Sequence, residues 1–448
     1  MENLRLDDVR QMIEKHQKAE LRKLLLESNP VDVAELMDEL TDKDLLLAFR
    51  ILPKDLAADV FSRVDSDTQQ KIIESISEAE VGRIINELFV DDAVDFIEEM
   101  PAVVVKKILK NTSPEMRKEI NLLLSYPDDS AGTIMTTEFA DLQVGLTVRD
   151  AIKRIRKIGI DSETINVLYV IDENRHLLGM LEIRKIILAS PEDVIGDIMD
   201  TNVISVHTLS DQEEVASLFK KYDLLAMPVV DREDRLVGIV TVDDILDVIE
   251  EENEEDFAKM SALEPSDDLY LETNVFVLAK RRIVWLLILM VSATFTGLII
   301  RKYEDVLSSI VILTAFIPML MDTGGNAGSQ SSTLIIRGLA LGELELKDFL
   351  KIMYKELLIS LIVGSILALI NFVRLYYIEK TPLNITLTVT LSMIFVVMIA
   401  KVSGGLLPVI AKKLHLDPAI MAGPFITTIV DTLALIVYFK FAQVLILK

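Results

Sequence analysis

PFITTIVDTLALIVYF, residues 424–439, is the stretch that decides the class of fold, because Asp431 is its only charge. It belongs to an apolar run, Pro418–Phe439, and a bilayer crossing needs about 20 mainly apolar residues. Four earlier runs share these properties: Ile283–Ile300, Val306–Ile336, Leu357–Val373 and Thr381–Ala411. Buried helices of a large soluble protein would not follow one another with such short polar joints. The sequence therefore predicts a polytopic α-helical membrane domain with five spans.

The remaining sequence is acidic and has the composition of a soluble protein. Of the 448 residues, 51% are hydrophobic and 26% are charged, and the net charge is −31 over residues 1–275 but +6 over 276–448. The apolar content excludes intrinsic disorder, and the net charge of −25 excludes a nucleic-acid partner. The absence of cysteine excludes disulfides, thiolate metal sites and cysteine nucleophiles.

Basic residues flank the predicted spans unequally, with nine on one side and six on the other. The positive-inside bias predicts a multi-pass protein of the cell membrane, with a cytoplasmic N-terminal half and an extracytoplasmic C-terminus. The first residues lack an apolar signal core, which agrees with a cytoplasmic N-terminus.

Two features inside the spans indicate function. A carboxylate such as Asp431 at membrane depth costs several kcal/mol unless it faces water, a cation or a partner. Pairing with Lys401 is the structural alternative, and we favour a cation pathway. The second feature is PMLMDTGGNAGSQSSTLIIRG, residues 318–338, where Pro318 and three glycines are expected to interrupt the second span and line a cavity. Small-residue helix packing is the alternative reading of these glycines, and we expect both to apply.

A strict 12-residue repeat occupies the N-terminal region from residue 29. Its eight blocks begin at Asn29, Thr41, Pro53, Asp65, Ser77, Phe89, Pro101 and Ser113. Apolar residues recur at the fifth, eighth, ninth and twelfth positions, which is one face of an α-helix. The repeat predicts eight short helices stacked as a solenoid, with a scaffolding or moving role.

Residues 135–250 contain one plan twice, helix, strand, turn, strand and helix, with a polar turn at Arg232–Arg235 in the second copy. The pair resembles a tandem of CBS domains. This resemblance implies a cleft for an adenine nucleotide such as ATP or AMP, with Thr241 and Asp244 on the ribose. The first copy has Glu182 and Lys185 at the corresponding positions, so we expect one competent cleft.

Two acidic surfaces accompany this α/β pair. One runs from Asp243 to Asp268 and is expected to continue as a helix to Lys280; the other lies on the solenoid and comprises Asp91, Asp92, Asp95, Glu98 and Glu99. A solvated face is the alternative reading of such a charge run. Two acidic surfaces repel unless hard cations lie between them, and oxygen ligands favour Mg²⁺ or Ca²⁺.

The order of these parts resembles the MgtE family of magnesium channels over almost the whole chain. The resemblance implies an all-α solenoid at 1–130, an α/β CBS pair at 131–250, a connecting helix at 251–280 and five spans at 281–448. It also implies a homodimer in membrane lipid that is not an enzyme, with Mg²⁺ as both substrate and regulator.

Site residues are carried over from the same family by position. The resemblance implies metal ligation in the pore or beside it by Asp431 and Asp417. It implies cytosolic metal ligation by Asp91, Asp95, Asp223 and Asp247, and less directly by Asp59 and Glu255. Asn326, Thr427 and Thr428 are expected to line the pore. Asp322 stands where some family members carry glycine, and it is expected to add a further carboxylate to the pore or its mouth.

Rival functions remain open at this stage. A CBS-regulated transporter of another divalent cation such as Co²⁺ shares every feature above. A CBS-regulated anion channel is disfavoured by the intramembrane aspartates, and a nucleotide-sensing membrane protein without transport would not need Asp431.

Overall fold

The computed structural model describes residues 5–446 other than 161, 266–269 and 271–272, and the backbone but not the side chain of Glu99. The chain divides into two compact units, Met1–Ile249 and Glu250–Lys448.

The N-terminal region is helical throughout, as its repeat predicts. Its described residues form ten helices, α1–α10: Leu6–Glu14, Lys18–Glu27, Pro30–Asp38, Asp42–Phe49, Lys54–Phe61, Ser66–Ser75, Glu78–Ile85, Val90–Glu99, Ala102–Asn111 and Pro114–Leu123. The residue before each of α3–α10 is the first residue of a predicted block, so all eight predicted starts are confirmed. Helices α1 and α2 precede the repeat and were not predicted by it.

The helix starts have a local cause. The side chains of Asn29, Asp65, Ser77 and Ser113 each accept a hydrogen bond from a backbone N–H in the first turn of the following helix. Such caps satisfy donors that have no partner within the helix. The repeating apolar positions are buried, as Val81 and Ile85 show at 0% exposure, so the solenoid core follows directly from the period.

The α/β region contains two small sheets of the same topology. The first holds β1 (Asp141–Gln143), β2 (Val167–Ile171) and β3 (Leu177–Glu182), and the second holds β4 (Val206–His207), β5 (Ala226–Val230) and β6 (Leu236–Thr241). In each sheet the first strand pairs parallel to the second, and the second pairs antiparallel to the third. The repeated plan is confirmed, whereas the short strands β1 and β4 were missed.

Helices flank these strands in the predicted order. They are α11 (Val148–Ile158), α12 (Ile183–Leu188), α13 (Ile195–Ile198), α14 (Gln212–Tyr222) and α15 (Val242–Met260).

The expected continuous acidic helix to Lys280 is wrong within the described residues. Helix α15 ends at Met260, where Ala262 takes a left-handed backbone (φ 54°) and the Leu263 N–H bonds the Ala258 carbonyl. This is a helix-terminating pattern, and Pro265 follows it. Asp268 and the rest of 266–269 and 271–272 lie outside the described residues.

The membrane unit is built from long helices. They are α16 (Val275–Lys302), α17 (Glu304–Ser309), α18 (Ile317–Ala340), α19 (Phe349–Val373), α20 (Leu383–Lys413) and α21 (Gly423–Leu445). Single 3₁₀ turns at Val311–Phe316, Leu346–Asp348 and Pro418–Met421 and a π turn at Arg374–Ile378 join or extend them.

Four candidate spans are long and apolar enough to cross a bilayer among the described residues: Val275–Lys302, Leu346–Ile378, Leu383–Lys413 and Pro418–Leu445. The second of the five predicted spans is not among them. Val306–Ile336 is divided into α17, a 3₁₀ turn and α18, and α18 is rich in small and polar residues.

Candidate functional site

Helix α18 presents a polar stripe on one face. Asp322, Asn326 and Gln330 follow one another at intervals of four residues, and all three are exposed. Residues four apart lie on the same face of a helix, and the Asn326 amide donates to the Asp322 carboxylate at 3.1 Å. An exposed polar stripe on a helix packed among apolar spans requires water, an ion or another polar surface beside it.

The buried surface of α18 carries the glycines, and the helix runs through them without interruption. A Cβ at Gly324 would lie 2.8 Å from Val396 and 2.9 Å from Val430, and one at Gly325 would lie 3.1 Å from Thr427. The glycines therefore do not break this span as expected, and the observed interruption lies beside Pro318, where the 3₁₀ segment Val311–Phe316 precedes α18. Pro318 sits in the first turn, where its missing N–H costs nothing, and the glycines permit close packing on α20 and α21.

Helix α21 brings the second set of predicted pore residues to the same helix cluster. Asp431 is half-buried, and the Asp322 carboxylate lies near enough to repel it. The hydroxyls of Thr427 and Thr428 donate to the Pro424 carbonyl at 2.9 and 3.0 Å, which leaves their oxygens free to accept. The pairing of Asp431 with Lys401 is not observed, because Lys401 contacts Ser331 on α18.

Gly423 and Pro424 stand at the start of α21 and do not interrupt it. They are its first two residues and begin the helix. The backbone of Gly423 has φ +33°, and a Cβ there would lie 2.6 Å from the Met260 carbonyl oxygen.

Asp417 and Glu255 meet around a lysine. The ammonium of Lys259 lies 2.7 Å from Asp417 and 2.5 Å from Glu255, and Asp417 also accepts from the Ala419 N–H at 2.7 Å. The two carboxylates hold the pKa of Lys259 above its ordinary value against the opposing effect of burial. Burial and the charge of Asp417 raise the pKa of Asp256. Sequence reasoning named Asp417 and Glu255 but missed Lys259.

An acidic cluster lies between solenoid and α/β region in the N-terminal unit. Its members are Asp91, Asp92, Glu163, Asp243 and Asp244, and we refer to them as the acidic cluster. Asp91 and Asp92 lie in the first turn of α8, and Asp243 and Asp244 lie in the first turn of α15. Helix N-termini favour nearby negative charge, so both helices tolerate these acids locally.

Burial and mutual repulsion perturb the cluster strongly. Burial, followed by the charges of Asp244, Asp92 and Glu163, raises the pKa of Asp91 well above its ordinary value. Burial raises the pKa of Asp92 to about 6 against the opposing effect of Arg63, with Asp243 and Asp59 raising it further.

The members contributed by the α/β region behave alike. Burial and then Asp244, Asp92, Asp243 and Glu138 raise the pKa of Glu163 to about 8. Burial raises the pKa of Asp244 to about 6 despite a hydrogen bond from the Thr241 hydroxyl at 2.5 Å. These carboxylates repel one another when they are ionised, and a cation that binds among them relieves the repulsion.

The remaining predicted cytosolic ligands are not members of the acidic cluster. Asp59 acts on Asp92 and therefore adjoins the acidic cluster. Asp95 and Asp247 are exposed, and Asp223 is exposed at the end of α14 with a left-handed backbone. Sequence reasoning missed Glu163, which follows α11 and carries no local motif.

Of the two residues predicted to bind the nucleotide, Asp244 is a member of the acidic cluster and Thr241 bonds to it. Thr241 and Asp244 bond each other, and Asp244 faces Asp243 and Asp92. A cavity of about 370 Å³ adjoins the corresponding part of the first copy, where Glu182, Arg184, Lys185 and Asp200 are among its lining residues. Among the described residues, no three His, Cys, Asp or Glu side chains are arranged to hold a metal ion directly.

Comparison with known families finds matches in the N-terminal helical region, the α/β region and the membrane unit. The family MgtE, described as a divalent cation transporter, matches residues 317–441, and the MgtE intracellular N domain matches 28–129. CBS domains match 131–192 and 195–251.

Relatives match over nearly the full length. A magnesium transporter MgtE of Thermus thermophilus is 35% identical over 429 residues, 95% of each chain. A magnesium transporter MgtE of Bacillus subtilis is 35% identical over 94% of this chain and 93% of its own length. The crystal structure of the cytosolic domain of a Mg²⁺ channel MgtE in complex with ATP is 36% identical and covers 55% of this chain and 100% of its own, with a TM-score of 0.52. The chain therefore belongs to the MgtE family of divalent cation transporters.

Proposed function

We propose that this protein is a magnesium transporter of the cell membrane whose ion pathway is lined by the polar stripe of α18 and by Asp431 of α21. The observation that carries the proposal is the convergence of Asp322, Asn326, Thr427 and Asp431 from two packed membrane helices. The magnesium transporters that match over more than nine-tenths of the chain support the choice of ion.

The donor chemistry suits a hydrated divalent cation. Mg²⁺ releases its inner water reluctantly, so a pathway can recognise the hydrated ion through carboxylate, amide and hydroxyl oxygens. The Asp431 and Asp322 carboxylates supply charge, and Thr427 and Thr428 supply acceptors for bound water. An inside-negative potential favours inward movement by about 2.3 kcal/mol per charge per 100 mV. The ion therefore moves down its electrochemical gradient, and no chemical reaction is needed to drive it.

A homodimer completes this pathway in our proposal. The stripe of Asp322, Asn326 and Gln330 is exposed on one chain. Helix α16 buries none of its residues within the chain. A second copy placed against these faces encloses the stripe, and lipid covers the remaining apolar surface.

Topology and domain limits are part of the same proposal. The N-terminal half is cytoplasmic and the C-terminus is outside. The solenoid ends near residue 130, the CBS pair near 250 and the connecting segment near 280.

The test is Mg²⁺ uptake into liposomes that contain the purified protein. Asp431→Ala is expected to lower uptake at least a hundredfold while leaving assembly intact, and Asp431→Asn is expected to weaken divalent binding with the shape retained. Asp305→Ala, an exposed aspartate of α17, is the matched control and should transport normally. Normal uptake by Asp431→Ala would remove the pathway assignment. Parallel uptake of Co²⁺ separates a magnesium transporter from a transporter of another divalent cation.

Regulation by cytosolic Mg²⁺ is the second part of the proposal. The acidic cluster, the adjoining Asp59 and the exposed Asp95, Asp223 and Asp247 repel at low Mg²⁺ and hold the cytosolic region expanded. Bound ions remove this repulsion and draw the region together, which closes the pathway. Shifting a two-state equilibrium from 1:99 to 99:1 needs about 5.5 kcal/mol, and several carboxylate pairs near a protein surface supply a few kcal/mol each.

Protease protection of the cytosolic region and patch recordings, both against cytosolic Mg²⁺, test this regulation. Asp91→Asn with Asp244→Asn should move both midpoints to several-fold higher Mg²⁺, whereas Asp234→Asn, in an exposed turn, should move neither. An open probability that ignores millimolar Mg²⁺ in the unaltered protein would reduce the acidic surfaces to solvated faces.

An adenine nucleotide at the CBS pair is the third part, supported by the ATP complex of a similar cytosolic domain. Calorimetry with ATP and AMP on the full chain should detect binding. Asp244→Ala removes it if Thr241 and Asp244 hold the ribose, and Lys185→Ala removes it if the first copy's cavity holds the nucleotide.

A further inference from the structure

Three buried polar side chains from three different helices meet in the membrane unit. Ser331 of α18 is 1% exposed, Lys401 of α20 is 6% exposed and Glu356 of α19 is 7% exposed. None of the three lies on the polar stripe. Ser331 belongs instead to the buried face of α18, together with Gly324, Gly328 and Ile335.

The contacts form a chain from ammonium to carboxylate. The Ser331 hydroxyl donates to the Glu356 Oε2 at 2.6 Å, and it accepts from the Lys401 Nζ at 3.4 Å. The hydroxyl therefore stands between a buried positive charge and a buried negative charge. Each contact joins two helices, so all three helices are tied at one point.

The surrounding backbone leaves room for the carboxylate. A Cβ at Gly405 would lie 2.8 Å from the Glu356 Cγ. Gly405 follows Lys401 by four residues and shares its face of α20. Lys401 therefore lies one turn from Gly405, and the Glu356 side chain fills the space that a side chain at Gly405 would occupy.

A lone carboxylate cannot be accommodated at such a place. The cost of burying an unpaired ion in a low-dielectric interior is several kcal/mol, and removal of one partner of a buried pair is strongly destabilising. The Lys401 ammonium meets this requirement from within the chain. Without it, the Glu356 carboxylate and the Ser331 hydroxyl oxygen remain, and a buried carboxylate of this kind requires a positive charge from elsewhere.

We propose that Ser331 and Glu356 form an intramembrane cation site that the ammonium of Lys401 occupies, and that a small monovalent cation binds there when the ammonium is removed. The single negative charge of Glu356 selects one positive charge. The site fixes the buried face of α18, and the polar stripe lies on the other face of the same helix.

Thermal melting of the full-length protein in detergent tests the site, in sodium, ammonium and choline chloride at equal ionic strength. The unaltered protein should melt at one temperature in all three salts. Lys401→Ala should lose about 10 °C in choline, a cation too large to enter, and regain at least half of that loss in ammonium or sodium. A purely structural hydrogen bond would give the loss without the salt dependence.

Neutralising both charges gives the second measurement. Lys401→Ala combined with Glu356→Gln should melt above Lys401→Ala in choline and respond to no cation. Ser331→Ala should weaken the rescue, whereas Ser360→Ala, a buried serine that bonds its own helix at Leu357, should not.

Two results would overturn the proposal. One is a Lys401→Ala protein with equal melting temperatures in the three salts. The other is a double variant no more stable than Lys401→Ala in choline, or, where the single variant cannot be purified, a double variant that cannot be purified either.

Discussion

The two units of this protein treat buried carboxylates in opposite ways. In the membrane unit, Glu356 is tied through Ser331 to Lys401, and Asp417 and Glu255 share Lys259. In the N-terminal unit, the acidic cluster gathers five carboxylates, and the one positive charge that acts on Asp92 is Arg63.

The difference indicates which carboxylates are stabilised when Mg²⁺ binds. A carboxylate neutralised by a lysine of the same chain gains little from Mg²⁺. Burial and then mutual repulsion raise the pKa values of Asp91, Asp92, Glu163 and Asp244, and an ion bound among them relieves that repulsion. The carboxylates of Asp322 and Asp431 also lie near enough to repel each other. Ion-responsive and ion-independent acids can therefore be distinguished by their partners.

The largest expected effect concerns the packing that holds the membrane unit together. A Cβ at Gly404 would lie 2.2 Å from the Gly328 carbonyl oxygen, so Gly404→Ala forces α18 and α20 apart. Overpacking of this kind costs about 1–3 kcal/mol, and a rigid backbone contact puts it at the upper end. The melting temperature of the purified protein should fall by several degrees.

Gly297→Ala is the control for this change, because nothing lies within 4 Å of that position on α16. Equal melting temperatures of the two variants would mean that the close approach of α18 and α20 is not needed for stability.

A pH dependence comes next and distinguishes the acidic cluster from the paired acids. The pKa values of Asp92 and Asp244 are raised to about 6 and that of Glu163 to about 8. The folded state therefore binds more protons than the unfolded state, and stability is lost as the pH rises through 6 and then 8. The protection factors of the α8 amides, which are exchange rates corrected for the base-catalysed intrinsic rate, should fall over this range without Mg²⁺, and added Mg²⁺ should raise them at pH 8.

Asp92→Asn with Glu163→Gln should flatten this profile. Asp150→Asn, an exposed acid whose pKa is lowered by the Lys153 side chain, should leave the profile unchanged. An identical slope in the unaltered protein and the double variant would contradict the assignment.

The smallest expected effect concerns Lys259. Lys259→Met removes two ion pairs whose side chains remain 24–42% exposed, so the cost is about 1 kcal/mol or less. Hydrogen exchange near the end of α15 should quicken severalfold without Mg²⁺. Because the change frees Asp417 and Glu255, added Mg²⁺ should slow exchange more in the variant than in the unaltered protein.

Lys153→Met serves as the control, because it breaks an exposed ion pair with Asp150 elsewhere in the chain. If the amides at the end of α15 exchange at the same rate in Lys259→Met and in the unaltered protein, the ion pairs of Lys259 contribute nothing to the stability of that end.

Much of the architecture can be predicted from local pattern. The 12-residue period located the start of each helix from α3 to α10, because caps and apolar spacing act within one or two turns. Hydropathy located four of the spans, because the insertion of a helix into a bilayer depends on its apolar composition more than on the helices beside it. It failed at Val306–Ile336, which hydropathy treats as one run and the structure divides into α17, a 3₁₀ segment and α18, with the glycines inside a continuous, tightly packed helix.

The candidate sites divide along the same line. The sequence alone determined that Asp431 is an acid within an apolar run and that Asp91 and Asp244 lie in acidic helix starts. Only the tertiary structure decided which groups meet: Asp322 with Asp431, Lys401 with Ser331 and Glu356, and Glu163 with Asp244. Periodicity and hydropathy report the environment of each residue along its own helix. The partner of a buried charge comes from a distant segment, and its identity is set by close packing between helices that no local pattern encodes.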